Sequence, residues 1–237
     1  GEYYCETPLK LMDKALNQCL SNAERIGQKD PEVIEALTEA LILSGVAIML
    51  NGNSRPASGP EHLLAHYWEV RHGMEGKSDA LHGTKVGVAT PIALTFIKKL
   101  FAHDFADFRS NPYPDYSKRT DIIRAHYRGA AEGVLREGTK KWASSDQLRN
   151  FRSIIDSKWV AMQSLAERLP DPGTVREWLR ASGGVTTIKE IGVSMDELRD
   201  ALLYSKEMRA RFTVFDLADY LGCLPYVIEE TMDELSD

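Results

Sequence analysis

Four of the six histidines of this chain lie between His62 and His82, and three of them, His62, His66 and His82, have a spacing that could bind a metal. His62 and His66 are four residues apart, so a helix would place both rings on one face, with Cβ atoms about 5–6 Å apart. A divalent metal accepts neutral imidazole nitrogens, and catalytic metal sites combine several protein ligands with an open position. His82 could reach the same centre if two helices pack antiparallel. The pattern suits zinc, nickel and iron alike.

The same pattern also has a plain structural explanation. Histidines four residues apart on an amphipathic helix are more often packing or surface residues than metal ligands. Leu63 stands where a zinc protease of the HExxH type has its glutamate, so that class is excluded. The remaining histidines show no pairing pattern and are interpreted as structural or surface residues; they are His72, His103 and His126.

The residues just before His62 could bind an anion. Ser58 and Glu61 have the spacing of a capping box, which predicts the start of a helix. The unpaired N–H groups of a helix start favour a nearby anion and disfavour a protonated imidazole. Arg55 and the hydroxyls of Ser54 and Ser58 precede this helix start, which predicts a phosphate-bearing substrate. Arg55 could equally be a solvated charge, and the box could serve only as a cap.

Apolar residues at three- and four-residue spacing predict helices around these positions. Asp30 before Pro31 indicates a helix start, and the apolar stripe from Val33 to Ile48 is interpreted as core. A similar stripe runs from Leu9 to Leu20. Two helices therefore account for most of the chain before the histidines.

The histidines themselves are expected on two helices joined by a loop. One helix should run from the capping box to about residue 71, with a polar loop at His72–Asp79. The next should begin near Ala80 and bend where Pro91 removes a backbone donor. Further helices are predicted at 118–137, 145–168, 174–181, 195–210 and from Thr213, the fourth of them with a capping box at Ser194–Glu197.

Alternating strand patterns are nearly absent, and no glycine-rich strand-to-helix turn occurs. The sequence therefore predicts an all-α helical bundle. Its best internal boundary is the proline-bearing stretch Phe105–Ser117. The sequence therefore predicts one metal- and substrate-binding helical domain, 1–237. A possible subdivision separates the metal-bearing helices, 1–108, from the C-terminal helices, 118–237.

Composition argues against several other classes of protein. The net charge is -6 and no basic stripe is present, so a nucleic-acid partner is not expected. The longest apolar run, Ala40–Leu50, is about half of the roughly 20 residues that span a bilayer, so no membrane span is expected. There is no basic flank before an apolar N-terminal stretch, and the three cysteines form no CxxC pair. These features predict a cytoplasmic location.

Two segments resemble the helical half of the sn-glycerol-1-phosphate dehydrogenases, which are related to dehydroquinate synthases, glycerol dehydrogenases and iron-containing alcohol dehydrogenases. The first is Ser44–His66, which includes NSRPASGPEHLLAH, and the second is Leu81–Thr90, LHGTKVGVAT. The stretch 209–217, RARFTVFDL, is similar to the same branch. The resemblance therefore extends over the whole chain and is strongest over residues 44–90.

This resemblance implies roles for individual residues. In that superfamily the first histidine of the HxxxH pair and the histidine of the HG motif bind a divalent metal, which implies His62 and His82. The second histidine of the pair lies beside the substrate and is implicated in proton transfer, which implies His66. Residues in the segment before the first ligand are expected to bind the substrate; they are Asn53, Ser54, Arg55 and Ser58.

The resemblance also implies an activity, the NAD(P)-dependent interconversion of dihydroxyacetone phosphate and sn-glycerol 1-phosphate in phospholipid metabolism. The metal would act as a Lewis acid on the C2 oxygen, and His66 would pass the proton. Family members also have an N-terminal nucleotide-binding half and an acidic third metal ligand, neither of which this sequence contains. We therefore expect a C-terminal domain whose partners are a small phosphorylated substrate and an N-terminal domain that binds most of the NAD(P)H. No cofactor-binding residue is predicted.

Two other functions remain open. A cyclase or lyase of the dehydroquinate-synthase type shares the histidines but uses the nicotinamide only transiently and releases inorganic phosphate. A helical binding module without catalytic activity is the second alternative. Because acidic helical enzymes of this size are often dimers, a homodimer is also considered.

Overall fold

The computed structural model describes residues 4–77 and 80–236, and every regular element in these ranges is a helix. The prediction of an all-α chain is therefore confirmed. Ser78 and Asp79, the end of the predicted loop His72–Asp79, lie outside the described residues. The α-helices are α1 (Glu6–Leu20), α2 (Ala23–Gly27), α3 (Pro31–Asn51), α4 (Pro60–Glu75), α5 (His82–Ala102), α6 (Arg119–Tyr127), α7 (Ala131–Gly138), α8 (Ser145–Asp156), α9 (Trp159–Glu167), α10 (Pro172–Ala181), α11 (Met195–Tyr204), α12 (Val214–Tyr220) and α13 (Leu224–Ser236).

The chain forms two compact units, and the division differs from the subdivision expected at residues 108–118. The first unit contains residues 1–59 and 173–186, and the second contains 60–172 and 187–237. The predicted connection at Phe105–Ser117 does follow α5, but it lies inside the second unit. Helix α5, before this connection, packs against helix α13, which lies after it in the sequence. The subdivision expected from the sequence remains a prediction; within the second unit, the proline-bearing connection joins helices that still pack together.

In the first unit, α1 packs along α3. The predicted start of α3 is confirmed, because the Asp30 side chain accepts a hydrogen bond from the backbone N–H of Glu32 and Pro31 is the first helical residue. The helix ends at Gly52, whose φ of 71° is in the left-handed region that favours glycine.

The apolar stripe of α3 is only partly core. Val33 is buried, as predicted, but Ile34 and Leu41 are exposed, Leu41 to 64%. The reason is that α1 covers one face of a helix that is apolar on several faces. By length and composition α3 could also cross a bilayer, and only 17% of its apolar window is buried; one such helix is weak evidence for a membrane span. The feature assigns no membrane role.

In the second unit, α4 and α5 pack side by side. Helix α5 also contacts α9 and α13, and α4 also contacts α11. Trp68 of α4 and Phe96 of α5 are fully buried, and the Phe96 ring meets Phe215 of α12 edge to face at 4.8 Å between centroids. Core packing therefore fixes the positions of the two helices that carry the histidines.

Two of the predicted long helices are each interrupted once. The helix expected at 118–137 is divided into α6 and α7, because Arg128 between them has a φ of 45°. The helix expected at 145–168 is divided into α8 and α9 by a two-residue turn. After that turn the buried Trp159 donates its indole N–H to the His103 carbonyl at 2.9 Å. The spacing of apolar residues does not predict interruptions as short as these.

The C-terminal helices follow the predicted starts. At α11 the predicted capping box is confirmed, since Ser194 Oγ accepts from the Glu197 N–H at 3.2 Å and Glu197 Oε2 accepts from the Ser194 N–H at 2.8 Å. The helix expected from Thr213 is α12, and α13 follows it. Two buried ion pairs hold α12 to α6 and to the turn after α7; they are Arg119–Asp219 and Lys141–Asp216.

Candidate metal centre

The structure brings together the three histidines that the sequence singles out. His62 and His66 lie on one face of α4, and His82 is the first residue of α5. The ring centroid of His82 is 5.4 Å from that of His62 and 4.9 Å from that of His66, while His62 and His66 are 6.4 Å apart. All three rings are partly exposed. The side chains therefore form one cluster that is accessible from solvent.

A carboxylate that the sequence analysis did not single out lies within this cluster. Glu69 follows His66 by three residues on α4, and its Oε2 is 3.0 Å from His66 Nδ1. Its other oxygen, Oε1, is 2.8 Å from Nδ1 of His82. Glu69 therefore links the two histidine-bearing helices. Its spacing of seven residues from His62 places it on the same helix face, and this signal could have identified it.

Lys85 is a second residue beside the cluster that its sequence spacing did not single out. It lies on α5, three residues after His82, and its Nζ is 3.3 Å from Glu69 Oε1. The lysine side chain is only 1% exposed. A buried basic group is tolerated when it is paired with a carboxylate, as Lys85 is paired with Glu69. Spacing within one helix does not signal this pair, because Lys85 and Glu69 are on different helices.

The environment of Glu69 favours its ionised form. Burial alone raises the pKa of this carboxyl, but hydrogen bonds from His66 and His82 and the charge of Lys85 outweigh it and hold the pKa below its ordinary value. An ionised carboxylate only accepts hydrogen bonds, so each ring must donate to it from Nδ1–H. In the neutral form of the imidazole, a ring that donates from Nδ1–H has its lone pair at Nε2.

His62 makes a comparable contact on the other side of the cluster. Its Nδ1 is 2.8 Å from Oε1 of the neighbouring Glu61. If Nδ1 donates to this carboxylate, Nε2 of His62 also has a free lone pair. In metal sites, a histidine ligand almost always donates its second ring N–H to a carboxylate, a carbonyl or water. The three histidines therefore resemble metal ligands in their hydrogen bonding as well as in their spacing.

The donor set fits a divalent metal. Among the described residues, one possible ligand atom from each of His66, Glu69 and His82 lies within 4.8 Å of the other two, and this group does not include His62. Imidazole nitrogens supported by carboxylates suit zinc, nickel and iron. Metal binding and the separate roles of His62, His66 and His82 remain predictions.

The residues predicted to bind the substrate belong to the first unit. Asn53 has a local structural contact, because its Oδ1 accepts from the Arg55 N–H at 3.0 Å and from the Asn51 side-chain amide at 2.9 Å. Arg55 begins a short 3₁₀ turn and lines a cavity of about 180 Å³ that it shares with side chains of α1. Substrate binding by this segment remains a prediction, and it covers Asn53, Ser54, Arg55 and Ser58.

The three histidines interpreted as structural lie outside the cluster. His72 is 1% exposed, and its Nε2 is 3.8 Å from Glu197. His103 Nε2 is 2.9 Å from Glu230 Oε2. His126 contacts the Tyr67 hydroxyl, and burial lowers the pKa of its ring. The partner of each of these three histidines lies in a distant part of the chain. Spacing in the sequence therefore could not identify these pairs.

Sequence comparisons relate the chain to known enzymes. No family profile matches it. Over 225 residues, 95% of the chain, it is 32% identical to glycerol-1-phosphate dehydrogenase (NAD(P)+) of Bacillus licheniformis. The enzyme of the same name from Geobacillus thermodenitrificans is 30% identical over 217 residues, 90% of the chain. That of Hyperthermus butylicus is 39% identical over 165 residues, 65% of the chain.

These relatives are oxidoreductases whose names include NAD(P)+, so the chain is homologous to part of an NAD(P)-dependent dehydrogenase. Within that class all three relatives are glycerol-1-phosphate dehydrogenases, which confirms the resemblance inferred from the motifs of the chain. The chain spans 44% to 46% of the length of these three relatives.

Proposed function

We propose that this chain provides the metal- and substrate-binding helices of an NAD(P)-dependent sn-glycerol-1-phosphate dehydrogenase. The enzyme would interconvert dihydroxyacetone phosphate and sn-glycerol 1-phosphate. The observation that carries the proposal is the cluster of His62, His66 and His82, which occurs in a chain related to such enzymes over 95% of its length. Because the chain spans 44% of that relative, NAD(P)H is proposed to bind mainly to another domain of the same enzyme.

In this proposal the residues of the cluster have separate tasks. His62 and His82 hold a divalent metal through Nε2, since Nδ1 of each ring is bonded to a carboxylate. When bound, such a metal supplies Lewis-acid stabilisation of the negative charge that develops on the carbonyl oxygen of the substrate. His66 has Nε2 available to accept the hydroxyl proton during oxidation and to return it during reduction.

The phosphate of the substrate is proposed to bind to the segment before α4. Arg55 offers a planar set of N–H donors that matches phosphate oxygens, and hydroxyl groups add further donors. The residues assigned to this task are Asn53, Ser54, Arg55 and Ser58.

Metal binding by the isolated chain is the first test. Metal-free protein is titrated with Zn²⁺ or Co²⁺ in the presence of a competing chelator. His62→Ala and His82→Ala should each weaken binding, because each removes one imidazole ligand. His103→Gln is the matched control, since His103 also pairs with a glutamate but lies outside the cluster. Affinities in both alanine variants equal to that of the wild type would contradict the proposal.

Turnover separates the dehydrogenase from the alternatives. A chimera in which this chain replaces the homologous part of the Bacillus licheniformis enzyme supplies the remainder of the polypeptide. Net consumption of NADH or NADPH with dihydroxyacetone phosphate supports the proposal. Release of inorganic phosphate without net NAD(P)H consumption favours the cyclase or lyase. A folded chimera that binds metal without either activity favours a binding module.

A further inference from the structure

Glu69 contacts two histidines that lie on two different helices. Its Oε2 lies 3.0 Å from His66 Nδ1 and its Oε1 lies 2.8 Å from His82 Nδ1. Glu61, by comparison, contacts the ring of its neighbour His62. The proposed metal ligand of α5 and the proposed proton-transfer residue of α4 therefore depend on the same carboxylate.

We propose that Glu69 is a positioning residue that orients His66 and His82 and selects the tautomer of both rings. This inference rests on the proposed function, because it explains how one ring presents Nε2 to a metal while the other presents Nε2 to the substrate. A neutral imidazole carries one N–H group, and an ionised carboxylate can only accept from it. The two hydrogen bonds to Glu69 therefore place the N–H proton of His66 and that of His82 on Nδ1 of each ring.

Lys85 supports this arrangement and argues against direct coordination by Glu69. Its ammonium group is 3.3 Å from the oxygen that accepts from His82, and it reaches that oxygen from a buried position on α5. A metal bound to Glu69 would lie close to this ammonium and to the two ring N–H groups, all of which repel a cation. Glu69 therefore acts on the site through the rings.

The consequence is a testable coupling between two properties of the site. A carboxylate that bonds the second nitrogen of a histidine ligand raises the basicity of the ring and fixes its orientation. Loss of the Glu69 carboxylate should therefore weaken metal binding by His82. It should also change the orientation and tautomer of the His66 ring, which is not assigned as a ligand. A residue with only a packing role would change neither tautomer.

The first experiment uses the wild-type chain without metal, labelled with ¹⁵N-histidine, in two-dimensional NMR spectra that identify the imidazole tautomers. Assignment by single substitution should show His66 and His82 as Nδ1–H tautomers. A ring with its proton on Nε2 would overturn the inference. This readout does not depend on metal binding, so it stands even if the proposed function fails.

The second experiment uses Glu69→Gln, which keeps the shape of the side chain. The amide has one acceptor oxygen, so one of the two rings must lose its bond or move its proton to Nε2. We expect Zn²⁺ affinity to fall about 10–100-fold, as for other outer carboxylates of metal sites, with a tautomer change in one ring. The control is Glu230→Gln, which alters a His–Glu pair outside the cluster and should leave the affinity unchanged.

The outcomes separate the inference from the proposed function. Unchanged affinity and tautomers in a folded Glu69→Gln variant, together with metal loss in His82→Ala, would overturn the role of Glu69 and leave the function standing. Loss of affinity with an altered Co²⁺ absorption spectrum would show that Glu69 is itself a ligand, which also overturns the inference. Thermal unfolding of the variant by circular dichroism verifies that it is folded.

Discussion

Replacing Lys141 with methionine should strongly destabilise the second unit. The Lys141 ammonium is buried and donates to Asp216 Oδ1 at 2.6 Å and to the Arg211 carbonyl at 3.2 Å. The substitution leaves the Asp216 carboxylate buried without this cation. Removing one partner of a buried ion pair typically costs about 3–5 kcal/mol. We expect a loss of that size in the free energy of unfolding at pH 7.

The pH dependence of this loss provides an internal check. Burial raises the pKa of Asp216 despite its positive neighbours. Without Lys141 the pKa should rise further, and the variant can then relieve the buried charge by binding a proton. The deficit in stability should therefore be smaller at pH 5 than at pH 7. The assay is urea unfolding followed by tryptophan fluorescence and circular dichroism, with m-values compared between variants.

A double variant completes the cycle. Asp216→Asn combined with Lys141→Met removes both charges, and the amide oxygen can still accept the N–H bond from Thr213 that begins α12. The double variant should therefore recover part of the stability lost in Lys141→Met. A loss below about 1 kcal/mol in the single variant, or no recovery in the double variant, would refute the reasoning that the pair balances a buried charge.

Three further predictions address stability, pH dependence and substrate binding. Gly222→Ala should destabilise the chain, because Gly222 has a φ of 69° and a Cβ would lie 2.3 Å from the Pro112 carbonyl oxygen; a melting temperature equal to that of the wild type would contradict this. The pKa of Glu197 is lowered to about 2, because hydrogen bonds from Lys77 and the Ser194 cap outweigh the opposing effect of burial. The stabilisation that ionised Glu197 provides is complete above the unfolded-state pKa of about 4.3 and is lost as the pH falls towards 2. Glu197→Gln should therefore reduce the fall in the free energy of unfolding between these pH values. An unchanged fall in this range would refute the assignment. Arg55→Ala in the chimera should weaken binding of dihydroxyacetone phosphate far more than that of dihydroxyacetone, and equal effects on the two would remove Arg55 from the phosphate site.

Helix starts were predictable because they depend on a few neighbouring residues. The box at Ser194 and the cap at Asp30 each involve side chains that bond the backbone within three residues. Helix interruptions were not predictable in this way. Arg128 has a positive φ, and the residue after the second turn, Trp159, donates a hydrogen bond to His103 in a distant part of the chain. Apolar spacing continues through both interruptions.

The exposed stripe of α3 shows the same limit for burial. Its apolar residues predict a core helix, and Val33 is buried accordingly. Ile34 and Leu41 are exposed, because α1 covers only one side of the helix. A pattern of apolar residues shows which faces could be buried, whereas the neighbouring helices establish which faces are.

For the candidate metal centre, the spacing of residues within α4 was sufficient to place His62 and His66 on one face. That spacing follows from the geometry of a single helix, so no knowledge of the fold was needed. The position of His82 and Lys85 beside Glu69 depends instead on how α5 packs against α4. The packing of two helices depends on the apolar surfaces that they bury together, which residue spacing within one helix does not describe. Only the tertiary structure therefore shows that Glu69 links the rings of His66 and His82.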